Sequence, residues 1–560
     1  MIMRPRGMCM LVVLVAACGG GDAEPGAGAA PDQVEEAQRY GGTAVVALSL
    51  EPQALNVLTG DMGGEAGMMK RDLLFAPLIR YDENFAPVPW LAERWDTVRV
   101  APDTLQLTFH LRKDVKWHDG VPVTAEDVLF SYERLVDPRT AYAGAHTFAL
   151  YAPKGELVDL HTVRFRLRRH ADFMEGWYWN PPVPKHLLAD VAPEQIRNHP
   201  FGTQPVGNGP FRFVRRVPGQ EWVFEANPDF PAALGGRPYL DRLIFRVIPA
   251  QTALVTEILT GAVDVWLGAK PSEADRLAQT PGVRLIAYPH NKWDYIAWNG
   301  RLPMFDSPEE RRALTLAIDR QALVDAALYG YGMIGRSTVT PAHWSFAADD
   351  PETLLPYDTA EARRLLAGAG WHDRDGDGIL EDEQGRPFRF TLKTIQGDDT
   401  WKEVVEIVQA QLRRIGIDAQ PRLLEFNTLV GQGEGRLDRD GARTRDFEAV
   451  ALHFYDEFRK DDSQILHSRF ADRSVYQWTG FSHPRADWLL DTLPVIPDRE
   501  AARPLWREYQ RLIVHQSPFT LLYYPERLVA LRTRLQGVEA DARSDLLTVG
   551  RWWIPPGERR

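Results

Sequence analysis

The sequence predicts an α/β protein of several domains, and three observations predict it. Leu105, Leu107, Phe109 and Leu111 alternate with Gln106, Thr108 and His110, the period of a half-buried strand, and a helical pattern opens soon after at Thr124. Residues 243–248 read as an apolar strand, 251–260 as a helix ended by Gly261, and 263–267 as a second strand, an order that places helices on the faces of a sheet. The 560 residues are enough for more than one core.

The stretch 105–135 is the most informative. Lys116 to Pro122 form a polar turn around Asp119-Gly120. Thr124 is placed to cap a helix, with Asp127 three residues on as a variant capping box, and Ala125, Val128, Leu129 and Tyr132 share one face. Its wording from 109, FHLRKDVKWHDGVPVTAEDVLFSYERL, closely resembles the signature of extracellular solute-binding proteins of family 5, the receptors of bacterial peptide-type ABC importers. That family includes oligopeptide-, dipeptide- and nickel-binding receptors. RDLLFAPLIRY (71–81), Trp90-Leu91-Ala92, PVGNGPFRF (205–213), TGAVDV (260–265) and RRALTLAIDR (311–320) carry the same resemblance. It implies a periplasmic binding protein-like class II fold: two lobes joined by crossing strands, plus an inserted third domain. The expected boundaries are lobe I at 42–66, 206–298 and 515–560, the inserted domain at 67–205, and lobe II at 299–514.

The N-terminus reads differently. Arg4 and Arg6 precede the apolar run Met8 to Ala17, as in a secretory signal. Val15-Ala16-Ala17-Cys18 resembles a bacterial lipobox, which implies removal of residues 1–17 and a lipid on Cys18; two or more acyl chains anchor stably where one is marginal. Residues 18–41 then read as a tether, since Gly, Ala, Pro and Asp dominate their first part. The only cysteines are Cys9 and Cys18, so the body is expected to fold without a disulfide. A net charge of −12 argues against a nucleic-acid partner. After the N-terminus no apolar run is long enough to span a bilayer.

Further elements follow by pattern. Thr43 to Leu50 is a strand leading to a loop that holds Asn56. Val163, Phe165 and Leu167 alternate with Arg164, Arg166 and Arg168, a strand with a solvated basic face. Residues 295–299 look like a strand crossing between lobes. Ser307, Pro308 and Glu310 open a helix with a capping box. Helices are expected at 360–369 and 400–415 and strands at 388–392, 417–423 and 447–454. Residues 431–445 (GQGEGRLDRDGARTR) are expected to be a polar loop. A late helix contains Leu505, Tyr509, Leu512 and Ile513, and 519–524 returns to lobe I.

Two groups of candidate site residues emerge. Asp373, Asp375, Asp377 and Gly378 with Glu381 match the start of a calcium loop, but position twelve is Gln384, and a tight Asx-rich turn is the competing reading. The second group is the ligand site. The resemblance implies an aspartate after a late strand that holds a peptide's α-ammonium. If Asp461-Asp462 align with the relatives' Asp-Pro pair, Phe458 stands in place of that aspartate; Asp456, beside Tyr455, serves if the loop is two residues longer. Trp298 and Asn299 on the crossing strand, Asn56, and Trp478 complete the candidates.

No HExxH, GxSxG or P-loop motif is present, so an enzyme is not expected. The expected function is capture of a peptide or similar small solute by hinged closure, and its delivery to separate permease and ATPase subunits. The protein is expected to act as a monomer on the extracytoplasmic or periplasmic side, held to the membrane by lipid, with no cofactor beyond the calcium just considered. A sensory receptor of the same fold and a secreted hydrolase are the alternatives.

Overall fold

The computed structural model describes residues 34–59, 64–170, 172–456 and 458–560. The expected signal peptide, Cys18 and the tether as far as residue 33 lie outside the described residues. Twelve strands form one large sheet with two halves. In one, here lobe I, Thr43–Leu48 runs parallel to Arg242–Val247 and Val265–Leu267, with Glu221–Ala226 and Phe211–Val217 added antiparallel at the edge. In the other, lobe II, Asp418–Leu424, Arg389–Ile395 and Ala449–Tyr455 are parallel, and Lys292–Trp298 joins them antiparallel. Helices cover the faces, as expected when parallel strands are buried on both sides.

One long strand, Phe519–Arg532, belongs to both halves. Phe519 to Tyr523 pair with Lys292–Trp298 in lobe II, while Glu526 to Arg532 pair with Val283–Pro289 in lobe I. The two crossing segments therefore change partners at His290-Asn291 and at Tyr524-Pro525, where the His290 N–H donates to the Pro525 carbonyl at 3.3 Å. The lobe boundaries expected at 298/299 and 514/515 lie away from these points, because an apolar strand looks the same on either side of the place where its neighbour changes.

The inserted domain is a four-stranded antiparallel sheet, Ala92–Ala101, Thr104–Leu111, Thr162–Arg168 and Glu156–Asp159, under helix Ala125–Val136. The Thr124/Asp127 capping box forms as the sequence predicts. The family wording acquires a physical meaning here. His118 of the KWHDG turn accepts from the Gly207 N–H at 3.1 Å through Nδ1, and its Nε2 lies 3.1 Å from the Gly209 carbonyl oxygen. A Cβ on Gly207 would sit 1.9 Å from the Leu74 carbonyl oxygen, so this approach requires glycine. Two distant signature segments thus dock on a third, Met69–Leu74, which is wound as a π-helix with Arg71 and Asp72 buried.

In lobe II, Ser307 and Glu310 form the expected reciprocal cap. Arg311 and Arg320 of the RRALTLAIDR wording are buried and donate to backbone carbonyls: Arg311 to Phe305, Asp306, Gln516 and Ser517, Arg320 to Gly335 and Leu521. Residues 431–445 are not the continuous loop expected. Helix Phe426–Glu434 runs into this stretch, and a small hairpin, Arg436–Leu437 with Arg443–Thr444, follows. Gly433 is tolerated in that helix because the Trp478 indole packs on it; a Cβ there would lie 2.6 Å from the ring.

Candidate functional site: the hinge and the loop that leaves it

Tyr455 and Asp456 lie where the chain leaves the sheet at the crossing point. The Asp456 N–H donates to the Asn291 carbonyl at 2.9 Å, and the Asn291 side-chain amide donates back to the Asp456 carbonyl. Thr340 Oγ1 donates to Asn291 Oδ1 at 2.8 Å. Tyr455 is 56% exposed, and its ring meets His290 and His453 edge-on at 5.6 and 5.2 Å. Burial pushes both histidines down to about 3, reinforced by Lys292 for His453 and by Arg527 and Lys292 for His290, so both are neutral at pH 7.

The Asp456 carboxylate has an internal partner. Lys460 Nζ donates to Asp456 Oδ1 at 2.6 Å and to the Thr338 carbonyl at 2.7 Å, and lies 2.7 Å from Asp462 Oδ1. Asp462 Oδ2 accepts from Thr338 Oγ1 and Tyr509 OH, both at 2.6 Å. Burial alone would lower the Lys460 ammonium; the two carboxylates outweigh it and hold it above the ordinary lysine value. Asp456 Oδ1 thus already holds an ammonium supplied by the chain itself. Sequence reading missed Lys460, although its spacing of four from Asp456 was visible.

Phe458 points across to the inserted domain. Its ring lies among Tyr81, Phe85, Tyr178 and Trp179, with centroids 4.7 to 5.4 Å away. Its N–H donates to Glu175 Oε1 at 2.8 Å. Nearby, Arg499 Nη1 of lobe II donates to the Asn84 carbonyl at 2.6 Å, and Nη2 donates to that of Phe85. Beside Lys460 lies a cavity of about 220 Å³, walled by Pro87 and Asp172 of the inserted domain and by Trp344, Ile496, Arg499 and Trp506 of lobe II. Burial raises the Asp172 carboxyl, and Arg499 and Arg459 pull it partway back.

The other candidates are not gathered there. Trp298 is 0% exposed in the lobe II core, with its indole N–H on Thr520 Oγ1 at 3.1 Å. Asn299 donates to the Phe447 carbonyl at 2.9 Å, and Asn56 accepts from the Leu58 N–H at 2.9 Å; both are buried. The Trp478 indole donates to the Val475 carbonyl at 2.8 Å. All four are committed to packing or loop closure, which residue type alone does not reveal.

Among the described residues, Asp373, Asp375, Asp377 and Glu381 are the ones grouped so that they could hold a hard cation, with ligand atoms within 4.8 Å of one another. Each carboxylate already accepts a backbone N–H of the turn: Asp373 from Gly376, Asp375 from Asp377, Asp377 from Ile379 and Glu381 from Arg374.

Residues 86–473 match the family model of bacterial extracellular solute-binding proteins, family 5. The oligopeptide-binding protein AppA of Bacillus subtilis is 28% identical over 524 residues, covering 92% of each chain. The solved structure of AppA in complex with a nonapeptide superimposes with a TM-score of 0.75 over 92% of this chain and 99% of that one, at 27% identity. Di/tripeptide-binding protein 1 of Pseudomonas aeruginosa is 28% identical over 427 residues, 70% of this chain and 76% of that protein. No described helix is long and apolar enough to cross a membrane. With a matched stretch that runs through the inserted domain, the hinge and most of lobe II, the chain belongs to the family 5 extracellular solute-binding proteins.

Proposed function

We propose that this protein is the receptor of an ABC importer that captures a peptide between its lobes and hands it to separate permease and ATPase subunits. The observation that carries this reading is the pair of crossing segments at 290–291 and 524–525, a two-strand hinge beside which Tyr455 is exposed. The coverage of the nonapeptide-bound relative supports it. Rotation about two adjacent crossing points lets the lobes close as nearly rigid bodies. An extended peptide then pairs through its backbone, while water-filled space tolerates varied side chains. No bond in the ligand is made or broken.

Within this reading Tyr455 contacts the ligand at the hinge, and Asp172 rather than Asp456 offers a carboxylate to the cavity. Trp298, Asn299, Asn56 and Trp478 serve as framework. The chain acts as a monomer tethered through lipid on Cys18. The test is a thermal shift of ligand-stripped protein with a pool of tri- to nonapeptides, followed by mass spectrometry of what stays bound. A stoichiometric shift with the peptide recovered intact is expected. Cleaved peptide, or a retained metal chelate or haem with no peptide binding, overturns the proposal.

A further inference from the structure

We propose that Phe458 is a latch that holds the closed form from outside the ligand's own contacts, and so sets how long a ligand is kept without selecting which ligand it is. The inference rests on the receptor reading above.

Among the described residues, Phe458 is the one buried side chain from lobe II in the apolar core shared by lobe I and the inserted domain. It is 6% exposed, buried by the side chains of the inserted domain. Four aromatic rings surround it. The nearest, Phe85, is held at φ +54°, in the left-handed region that non-glycine residues avoid. Backbone strain of that kind persists only where its surroundings impose it, and it clusters at clamps and switches. The Phe85 carbonyl also takes Arg499, so two groups of lobe II grip the same turn of the inserted domain. Opening the lobes about the hinge must draw Phe458 out of this cage and expose its ring.

The latch is anchored on its own side. Lys460, two residues on, is fixed by Asp456, Asp462 and Thr338, and Asp456 is fixed to the hinge residue Asn291. Hinge angle and ring position are therefore mechanically joined through a few short contacts. A contact of this kind adds the same closing free energy whatever lies in the cleft. That suits a receptor that reads a peptide's backbone and ignores its side chains.

The test uses Phe458→Ala and the milder Phe458→Leu, with Trp179→Ala on the other wall of the cage. Dissociation of three peptides of unrelated sequence, a tri-, a penta- and a nonapeptide, is followed by stopped flow, and ligand-free protein is measured by small-angle scattering. Expected for Phe458→Ala is faster dissociation by roughly ten- to a hundredfold, by one common factor for all three peptides, with association rates nearly unchanged. Phe458→Leu falls between it and the wild type, and adding Trp179→Ala to Phe458→Ala costs little more. Ligand-free Phe458→Ala scatters as a more open particle.

A factor that differs from peptide to peptide places Phe458 against the ligand and overturns the latch, as does an unchanged dissociation rate in both Phe458 variants. If none of the peptides binds but ligand-free Phe458→Leu still opens, the latch stands and the peptide reading falls.

Discussion

Replacing Lys460 by Met tests the charge cluster that organises the hinge loop. Met keeps most of the unbranched stem and adds no polar atom, so the packing change is small. What is lost is the ammonium between two carboxylates: the side chains of Lys460, Asp456 and Asp462 are 1%, 4% and 3% exposed. Removing one partner of a buried ion pair costs about 3–5 kcal/mol, because the remaining charge keeps its desolvation penalty without its compensation. Here two carboxylates remain, so the upper end is expected. If lobe II melts as a unit, each kcal/mol lowers its midpoint by about 2–4 °C, for a total of roughly 10–20 °C. Calorimetry and urea melts monitored at several wavelengths would measure it. The pH dependence gives a second reading. In the wild type the raised Lys460 pKa contributes stability in full below the unfolded lysine value of about 10.4, and that contribution is lost as pH rises through the folded value. In the variant the two buried carboxylates lose the ammonium between them, so the defect shrinks as pH falls below neutral and their negative charge is neutralised. Adding Asp456→Asn to Lys460→Met should recover part of the loss. A Lys460→Met loss under about 1 kcal/mol, or a defect that grows on acidification, would show that the buried charge cluster does not hold the loop.

Other outcomes follow from the same contacts. Trp298→Ala is expected to cost about 3–5 kcal/mol of stability by leaving a core cavity, whereas Tyr455→Ala, exposed at the hinge, should shift stability by no more than about 0.5 kcal/mol and weaken peptide binding; chemical denaturation and titration calorimetry separate the two. His343 is buried, and burial, with Lys460 and Arg499, lowers it to about 3, so the unfolded chain takes up its proton first as pH falls below about 6.5. Stability is therefore lost on acidification, by about 2 kcal/mol between pH 7 and 5 for this residue, and His343→Asn should flatten the urea-midpoint profile by that amount. Cys18→Ala is expected in the soluble fraction of a cell lysate, with the wild type in the membrane fraction. The loop at Asp373 is expected to keep its shape in chelator because backbone amides occupy its carboxylates; a calcium-dependent rise in melting temperature would reverse that view.

Features written within a dozen or so neighbouring residues were legible without a fold. The Thr124/Asp127 and Ser307/Glu310 caps, the αL glycine at 261 and the alternation at 105–111 all formed where local hydrogen bonding and periodicity put them. The signature wording identified the family, and the structure supplies its reason: His118, Gly207, Arg311 and Arg320 fix the docking of segments far apart in the chain. Which polar residues already had partners became visible only once distant segments were packed together. Trp298 and Asn299 looked like site residues on a crossing strand, yet one faces a core and the other closes a loop, because a strand's two faces are told apart only by what packs on them. Asp456 looked open until Lys460 was found on it, and Phe458, which stood in for a missing aspartate, found its partner in Glu175 more than half the chain away. Such pairings depend on how the lobes and inserted domain meet, and that geometry is set by the whole sheet rather than by any stretch of sequence.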